Sequence, residues 1–79
     1  MKIKSNPVRT LLAVYDLAKG DLRAEISFEN ITSRTGMDVN AARRAVRHLL
    51  NRRCIDNTSR ASVVRLSIIG KAYIEKHRR

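Results

Sequence analysis

Arginine and asparagine are concentrated in one stretch of the chain, residues 39–53, which contains five arginines and no acidic residue. A guanidinium can donate two parallel hydrogen bonds to O6 and N7 of guanine, and an asparagine amide can pair in a similar way with adenine. If the stretch is an α-helix, with about 100° per residue, these side chains fall on one arc. The arc consists of Asn40, Arg43, Arg44, Arg47 and Asn51. Residue types and spacing therefore allow this stretch to contact the edges of base pairs.

The opposite arc of the same stretch is apolar, so the predicted helix has one side for a core and one side for a partner. Its members are Ala42, Ala45, Val46, Leu49 and Leu50. A basic arc can also be a merely solvated surface, because exposed helix faces are polar and arginine favours helix. A solvated face would usually mix charges of both signs and form acid–base pairs four residues apart. The absence of acids from residues 39–53 favours a polyanionic partner.

The charge balance of the whole chain indicates the same kind of partner. The 79 residues include 17 Lys and Arg against 7 Asp and Glu, which gives a net charge of +10. The simpler alternative, a charge that serves only solubility, is disfavoured because a small domain typically carries roughly 2–8 net charges. We infer a polyanion, most simply nucleic acid. One Phe and two Tyr are too few for a base-stacking platform, which disfavours single-stranded nucleic acid.

No set of residues indicates catalysis or a bound cofactor. The acidic residues are scattered, no nucleophile lies beside a base, and no glycine-rich phosphate loop is present. Cys54, His48 and His77 do not have the spacing of a metal site, and His48 is expected at the surface. We therefore expect no enzymatic activity, no metal and no cofactor. The single cysteine and the lack of a long apolar run lead us to expect a cytoplasmic protein, nucleoid-associated in a bacterium or archaeon.

The basic stretch is preceded by residues that predict another helix and a tight turn. The segment FENITSRT is expected to be helical, with Ser27 as its N-cap and Gly36 at its end, where glycine tolerates a positive φ. Met37 is expected to fill the angle between the two helices, and Asp38 is expected to cap the basic helix. Residues 27–53 therefore predict two helices joined by a turn.

The chain before this turn predicts a first helix and a short extended segment. A basic lead over residues 1–6 ends at Asn6, which is the expected cap of the helix VRTLLAVYDLA. This helix is expected to end at Gly20 in a left-handed conformation. The segment LRAEI that follows is short and extended. In the next helix, Phe28 and Ile31 are expected to point inward.

The chain after the basic helix predicts a hairpin and a closing helix. The polar cluster DNTSRAS predicts the loop of a hairpin over residues 55–66. Residues 67–79 are expected to form a final helix, capped by Ser67, and a basic tail. The predicted order over residues 1–79 is helix, strand, helix, helix, strand, strand, helix. This order indicates a single α+β domain that is mostly helical.

Two segments give the chain a resemblance to a known family. ITSRTGMDVNAARRAVRHLL is similar to the pattern LAxxxGVSxxTVxRxLxxLxxxGLI of winged helix-turn-helix DNA-binding domains, among them small bacterial and archaeal transcription regulators. Gly36 and Met37 match its turn, and Asp38 stands where the family has a capping serine. RLSIIGKAYI resembles YxLTxxGxxxL, which leads from the last wing strand into the closing helix. The family often has glycine before the first wing strand, where this chain has Arg53 or Cys54, so we expect an unusual exit from the basic helix.

The resemblance implies a winged helix-turn-helix fold, with a three-helix core, a β-hairpin wing and a C-terminal helix. It also implies sequence-specific binding of double-stranded DNA by a stand-alone transcription regulator. Helix 39–53 would lie in the major groove, and the wing loop 57–62 would lie on the phosphate backbone or in the minor groove. The implied contacts are Val39, Asn40, Arg43, Arg44 and Arg47 in the helix, and Ser59, Arg60 and Ser62 in the wing. The expected phosphate contacts are Ser27, Thr32, Ser33 and Arg34.

The same residues allow other interpretations. An RNA-binding or ribosome-associated winged helix would have the same small size and basic character. Without the resemblance, the wing loop is an ordinary hydrophilic turn, and a protein-interaction module would be expected to have a less basic face. We also expect a homodimer, because paired half-sites raise affinity, and no membrane contact or small-molecule ligand. The dimer would use the first or last helix, with the candidate contacts Val14, Tyr15, Ile69 and Tyr73.

Overall fold

Four helices and three strands make up most of the part of the chain that the computed structural model describes, residues 5–77. In chain order they are α1 (Asn6–Ala18), β1 (Glu25–Ser27), α2 (Phe28–Thr35), α3 (Val39–Asn51), β2 (Ile55–Asn57), β3 (Val63–Leu66) and α4 (Ile68–His77). The predicted order and the mostly helical α+β class are confirmed. Residues 1–4 of the predicted basic lead and residues 78–79 of the tail lie outside the described range. None of the helices within residues 5–77 combines the length and apolar character needed to cross a bilayer.

Short polar side chains begin the helices, as the sequence indicates. The predicted N-caps are confirmed, each accepting a hydrogen bond from the backbone N–H three residues ahead: Ser27, Asp38 and Ser67. The prediction for α1 is wrong by one residue. Ser5 has the extended backbone of a cap and accepts from the Val8 N–H at 3.4 Å, whereas Asn6 is already helical. These bonds satisfy N–H groups that have no partner within their own helix.

The basic helix α3 ends at Asn51, before the predicted Arg53, because the chain leaves it through a Schellman turn. The Cys54 N–H donates to the Leu49 carbonyl at 2.9 Å, and the Arg53 N–H donates to the Leu50 carbonyl at 3.1 Å. This turn places Arg53 at a φ of 61°, in the left-handed region where glycine is usual. The exit from the helix is thus unusual, as predicted, because Arg53 occupies a glycine position.

The strands form one antiparallel sheet in the order β1-β3-β2. β3 is central, and Val64 pairs with Ile26 of β1 on one side and with β2 on the other. The predicted hairpin over residues 55–66 is confirmed, with β2 and β3 joined by a loop over residues 58–62. The extended segment LRAEI contributes only its end to the strand Glu25–Ser27. The third strand stabilises the hairpin, which would be only marginally stable alone in water.

One core joins the sheet to α1, α2 and α3. Its most completely buried side chains include Leu11, Val14, Ile31, Ile55 and Leu66. Ile31 points inward as predicted, but the prediction for Phe28 is wrong. Phe28 begins α2 at the edge of the sheet, where its N–H donates to the Ser62 carbonyl, and its side chain is only half-buried, as is that of Met37. Val14 is fully buried in this core, so the prediction that it belongs to a dimer surface is also wrong.

α4 approaches the rest of the chain very closely at Gly70. A Cβ on this residue would overlap the Cys54 carbonyl and would lie 3.1 Å from Leu11 Cδ1. The Ser67 N–H donates to the same Cys54 carbonyl at 3.2 Å, so the start of α4 is attached to the exit of α3. The glycine of RLSIIGKAYI is therefore required by close packing.

We expect Gly70→Ala to destabilise the protein, although the helix propensity of alanine exceeds that of glycine by roughly 0.5–1 kcal/mol. The added methyl group must displace the Cys54 carbonyl, and overpacking of this kind typically costs about 1–3 kcal/mol. Urea unfolding followed by circular dichroism measures the change in the free energy of unfolding. An unchanged or higher stability would contradict the close approach of α4.

Candidate nucleic-acid interface

The exposed side of α3 carries the basic residues that the sequence indicates. Ala42, Ala45 and Leu49 are buried, and Val46 and Leu50 are half-buried, so the predicted apolar arc faces the core. The exposed residues are Val39, Asn40, Arg43, Arg44, Arg47, His48 and Asn51. The predicted phasing of this helix is therefore confirmed.

The guanidinium groups on this side of α3 have no partner among residues 5–77. The ion pairs in that range involve arginines of α2, the β2–β3 loop and β3, and no hydrogen bond holds the side chains of Arg43, Arg44 or Arg47. A guanidinium without a carboxylate partner has all its N–H donors available, and no adjacent negative charge offsets its own. Its planar fork of donors matches a phosphate or the edge of a guanine. This side of α3 can therefore bind an external anion.

Arg9 connects α1 to the turn that precedes α3. Its Nη2 donates to the carbonyl of Thr35, the last residue of α2, at 2.8 Å. The Thr35 hydroxyl donates to the Ile31 carbonyl at 2.9 Å and accepts from the Met37 N–H at 3.3 Å. Together these bonds hold the turn that sets the angle between α2 and α3. Arg9 and Thr35 could not be identified from the sequence, because they are far apart in the chain and no local motif marks either one.

The loop between β2 and β3 is organised by Thr58. The Thr58 hydroxyl accepts from the Arg60 N–H at 3.1 Å and donates to the Val63 carbonyl at 3.0 Å. At the end of the loop Ser62 has a φ of 61°, and its carbonyl accepts from the Phe28 N–H at 2.8 Å. The loop is thus attached to the start of α2. The predicted contacts in this loop are all exposed, namely Ser59, Arg60 and Ser62.

An acidic residue on the neighbouring strand partly neutralises this loop. The Glu25 carboxylate lies 3.4 Å from Arg60 Nη1 and 3.2 Å from Arg65 Nη2. The Arg60 side chain is 73% exposed, and such a solvated pair contributes only about 0–1 kcal/mol, so Arg60 can exchange the carboxylate for another anion. The role of Glu25 could not be identified from the sequence, because only the pairing of β1 with β3 places it opposite Arg65.

The four residues predicted to contact phosphates, at the N-cap of α2 and within α2, differ in how free their side chains are. The Ser27 hydroxyl caps α2, and the Thr32 hydroxyl donates to a backbone carbonyl of its own helix at 2.8 Å. Arg34 Nη2 lies 3.5 Å from Asp16 Oδ2, with the Arg34 side chain 54% exposed and the Asp16 side chain half-buried, so solvent reaches the arginine side of this pair. Ser33 is exposed. Ser33 and Arg34 are therefore the most available of the four.

No cluster of metal ligands accompanies this surface within the described range. No group of three or more His, Cys, Asp and Glu side chains among residues 5–77 is placed to hold a metal ion. Burial raises the pKa of the Cys54 thiol, and the charge of Arg52 only partly opposes this shift. A thiol with a raised pKa is a poor nucleophile at neutral pH. The surface offers positive charge and hydrogen-bond donors.

Comparison with known proteins finds no match: no protein-family model matches the chain, and no curated protein or solved structure is significantly similar to it. The assignment of an interface therefore depends on three features of the chain itself. These are the exposed basic side of α3, the turn that precedes it and the loop between β2 and β3.

We expect Arg53→Gly to stabilise the protein, because a left-handed conformation costs an L-residue roughly 1–2 kcal/mol that glycine avoids. The greater entropy of glycine in the unfolded chain reduces the gain to about 0.5–1 kcal/mol. Arg52→Gly is the matched control, since it removes the same charge at a φ of −89°, where glycine has no advantage. Thermal unfolding should show a higher midpoint for Arg53→Gly and a lower one for Arg52→Gly. The reverse order would contradict the Schellman turn at the end of α3.

Proposed function

We propose that this chain is a winged helix-turn-helix protein that binds double-stranded DNA in a sequence-specific manner, as a stand-alone transcription regulator. The order of its elements and its β1-β3-β2 sheet are consistent with this fold. The observation that carries the proposal is the exposed side of α3, where three arginines have no partner within residues 5–77. A merely solvated helix would gain from acid–base pairs four residues apart, and this helix contains no acid.

The proposed contact places α3 in the major groove, which is about 12 Å wide and accommodates a helix about 10–12 Å across. Arg43 and Arg47 are one turn apart and would donate to O6 and N7 of guanines, and Asn40 would pair with an adenine. Val39 is 50% exposed at the start of the helix, where its methyl groups would contact a thymine methyl. Val39, Asn40 and Arg43 lie in the N-terminal part of α3, which is the part that reads bases in helix-turn-helix proteins, and Arg47 lies one turn further along.

Contacts to the phosphate backbone would come from α2 and from the loop between β2 and β3. α2 supplies Ser33 and Arg34, and the loop supplies Arg60 with nearby serine hydroxyls. Arg34 and Arg60 must first leave Asp16 and Glu25, but both guanidinium groups are solvent-exposed, which weakens the pairs, and a phosphate offers a bidentate replacement. Such contacts would position the protein on the duplex, while the residues of α3 would read the sequence.

Selection of duplex fragments by the purified protein, followed by sequencing, tests for a sequence preference. We expect the recovered fragments to share a short site. A set of fragments without a common site would show binding by charge alone and would contradict sequence-specific recognition. Structured RNA, added as a competitor, tests the alternative of an RNA-binding protein. If structured RNA displaces a labelled copy of the selected duplex from the protein at a lower concentration than unlabelled duplex does, RNA is the preferred partner.

Replacement of Arg43 or Arg47 by alanine should weaken binding to the selected duplex, because each change removes a bidentate contact to a base. The expected loss is about 1–3 kcal/mol for each, or roughly 5–150-fold in affinity. Arg23→Ala is the matched control: it removes the same charge from an exposed residue that follows the C-terminal end of α1. Titrations of all three variants at one salt concentration make the comparison. Equal losses in Arg23→Ala and in the α3 variants would contradict the placement of α3 in the groove.

We expect Glu25→Gln to tighten duplex binding by roughly 2–5-fold, because it releases Arg60 and Arg65 from their shared carboxylate. The slope of log K against log salt concentration should also become steeper, by up to the amount expected for about one additional phosphate contact. Glu75→Gln removes the same charge from α4 and retains an oxygen that accepts from the Tyr15 hydroxyl. If both variants tighten binding equally, only net charge matters, and the loop does not contact the duplex.

A further inference from the structure

An open groove of about 510 Å³ lies between the start of α1, the end of α3 and the outer side of α4. Its volume is within the range of roughly 300–1,000 Å³ that is usual for small-molecule sites. The buried side chains of Leu11 and Leu49 form its floor. Ile69 is 51% exposed and Tyr73 40%, so the outer side of α4 forms one wall. The apolar lining consists of Pro7, Val8, Leu11, Leu49, Ile69 and Tyr73.

The walls of this groove are held in place by bonds that need no ligand. The Tyr15 hydroxyl donates to Glu75 Oε2 at 3.1 Å and joins α1 to α4. The Ser67 N–H donates to the Cys54 carbonyl at 3.2 Å and joins the start of α4 to the exit of α3. A groove that is already formed has little conformational freedom to lose when it is filled, so apolar contact with its lining contributes more fully to affinity.

Two basic side chains at the end of α3 line the same groove, namely His48 and Arg52. They are four residues apart and therefore lie on the same side of the helix. Neither has a carboxylate partner within residues 5–77, and none of the described residues that line the groove is acidic. Burial raises the pKa of the Cys54 thiol and the charge of Arg52 opposes this shift, so the guanidinium acts at the wall that Cys54 forms.

The combination of an apolar lining with these cations selects one class of ligand. A neutral apolar molecule would cover the N–H donors of Arg52 without replacing their hydrogen bonds to water, which is unfavourable. A cation would be repelled by a chain of net charge +10. A small inorganic anion would leave the apolar lining exposed to water. An anion with an apolar body satisfies both parts of the groove.

We propose that this groove is a binding site for an organic carboxylate with an extended apolar body, such as a medium-chain fatty acid. The planar guanidinium of Arg52 would donate to both carboxylate oxygens, and His48 would add a ring N–H. The Ser5 hydroxyl accepts from the Val8 N–H at 3.4 Å, and its own hydrogen is available to donate to the same carboxylate. The apolar body would cover the floor of the groove.

This site lies outside the surface of α3 that the proposed function assigns to the duplex. None of Asn40, Arg43 and Arg47 lines the groove, and the carboxylate site does not rest on DNA binding. The sequence led us to expect no small-molecule ligand. It could not indicate this site, because the lining comes from α1, α3 and α4 and no local motif unites them.

Titration of the full chain with straight-chain carboxylates, followed by proton–nitrogen correlation spectra, tests the proposal. We expect decanoate to shift the resonances of residues that line the groove. Affinity should rise by roughly 2–4-fold for each methylene added between hexanoate and decanoate, because each one buries further apolar surface.

Two other probes separate the parts of this interaction. Acetate has the charge without the chain and should bind more weakly than hexanoate, whereas decylammonium has the chain with the opposite charge and should bind at least tenfold more weakly than decanoate. Equal binding of decanoate and decylammonium would contradict the role of the cations. An affinity that does not depend on chain length, or shifts spread evenly over the basic surface, would show attraction by charge alone and would overturn the site.

Arg52→Gln should weaken decanoate binding by roughly 3–10-fold, because it removes a charge-assisted contact that remains partly solvated. Arg53→Gln is the matched control, since it removes the same charge from the neighbouring exposed residue, which does not line the groove. The correlation spectra of both variants report whether the fold is retained. An equal loss in the two variants would mean that only net charge matters, and the carboxylate position at Arg52 would be wrong.

Ile69→Ala tests the apolar wall in the same way. It should weaken decanoate binding by roughly 3–10-fold, because it removes methyl and methylene groups that the alkyl chain contacts. Ile68→Ala is its control: Ile68 is the preceding residue of α4, is 71% exposed and does not line the groove. Both changes are at exposed positions and introduce a residue that favours helix, so the fold should be retained. Equal affinities in these two variants would rule out the groove as the place of the chain.

Alkylation of Cys54 gives a readout that depends on no substitution. Cys54 is the single cysteine of the chain, is half-buried and lines the groove. Decanoate should slow its reaction with N-ethylmaleimide, measured by mass spectrometry, because a bound chain would cover the thiol. Decylammonium at the same concentration should leave the rate unchanged. A rate that saturating decanoate does not lower would place the ligand elsewhere and overturn the proposal.

Discussion

The packing of α3 against α1 is the constraint on which the rest of this structure depends. Ala42, Ala45 and Leu49 of α3 are buried, and α1 contributes Leu11 and Val14 to the core. Because residues three and four apart share one side of a helix, burial of this side directs the arginines outward. The small alanines let the two backbones approach closely, and no arginine of α3 is needed to hold the contact. The basic surface is therefore a consequence of how the core is packed.

The distribution of acidic residues decides how much of the positive charge is available. Glu25 pairs with arginines of β3 and its loop, and Asp16 pairs with Arg34 of α2. Asp38 is the acid that immediately precedes α3, and its carboxylate accepts the Ala41 N–H as the N-cap. Within residues 5–77, α2 and the loop thus hold arginines in exposed, exchangeable pairs, whereas Arg43, Arg44 and Arg47 of α3 have no such partner. A polyanion could therefore contact the arginines of α3 without displacing a carboxylate of the described residues.

The order of elements and the exposed side of α3 could be predicted because their signals are local. A cap contacts a backbone group three residues ahead, and an amphipathic arc depends only on residue type and helical period. The errors arise where burial depends on distant elements. Val14 and Phe28 both belong to apolar patterns, yet one is enclosed by the core and the other lies at the edge of the sheet. The role of Arg9 at the turn before α3 was missed for the same reason, because its partner is 26 residues away.

The sequence by itself determined the strong positive charge, the starts of three helices and the apolar side of α3. These properties depend on residue type and on spacing within a few turns of the chain. Only the tertiary structure decided that Gly70 meets the Cys54 carbonyl, that Glu25 pairs with Arg60 and Arg65, and that the outer side of α4 is left uncovered by the described residues. Each of these results from the relative positions of elements that are far apart in sequence. Close packing and strand register set those positions, and neither is encoded in local spacing.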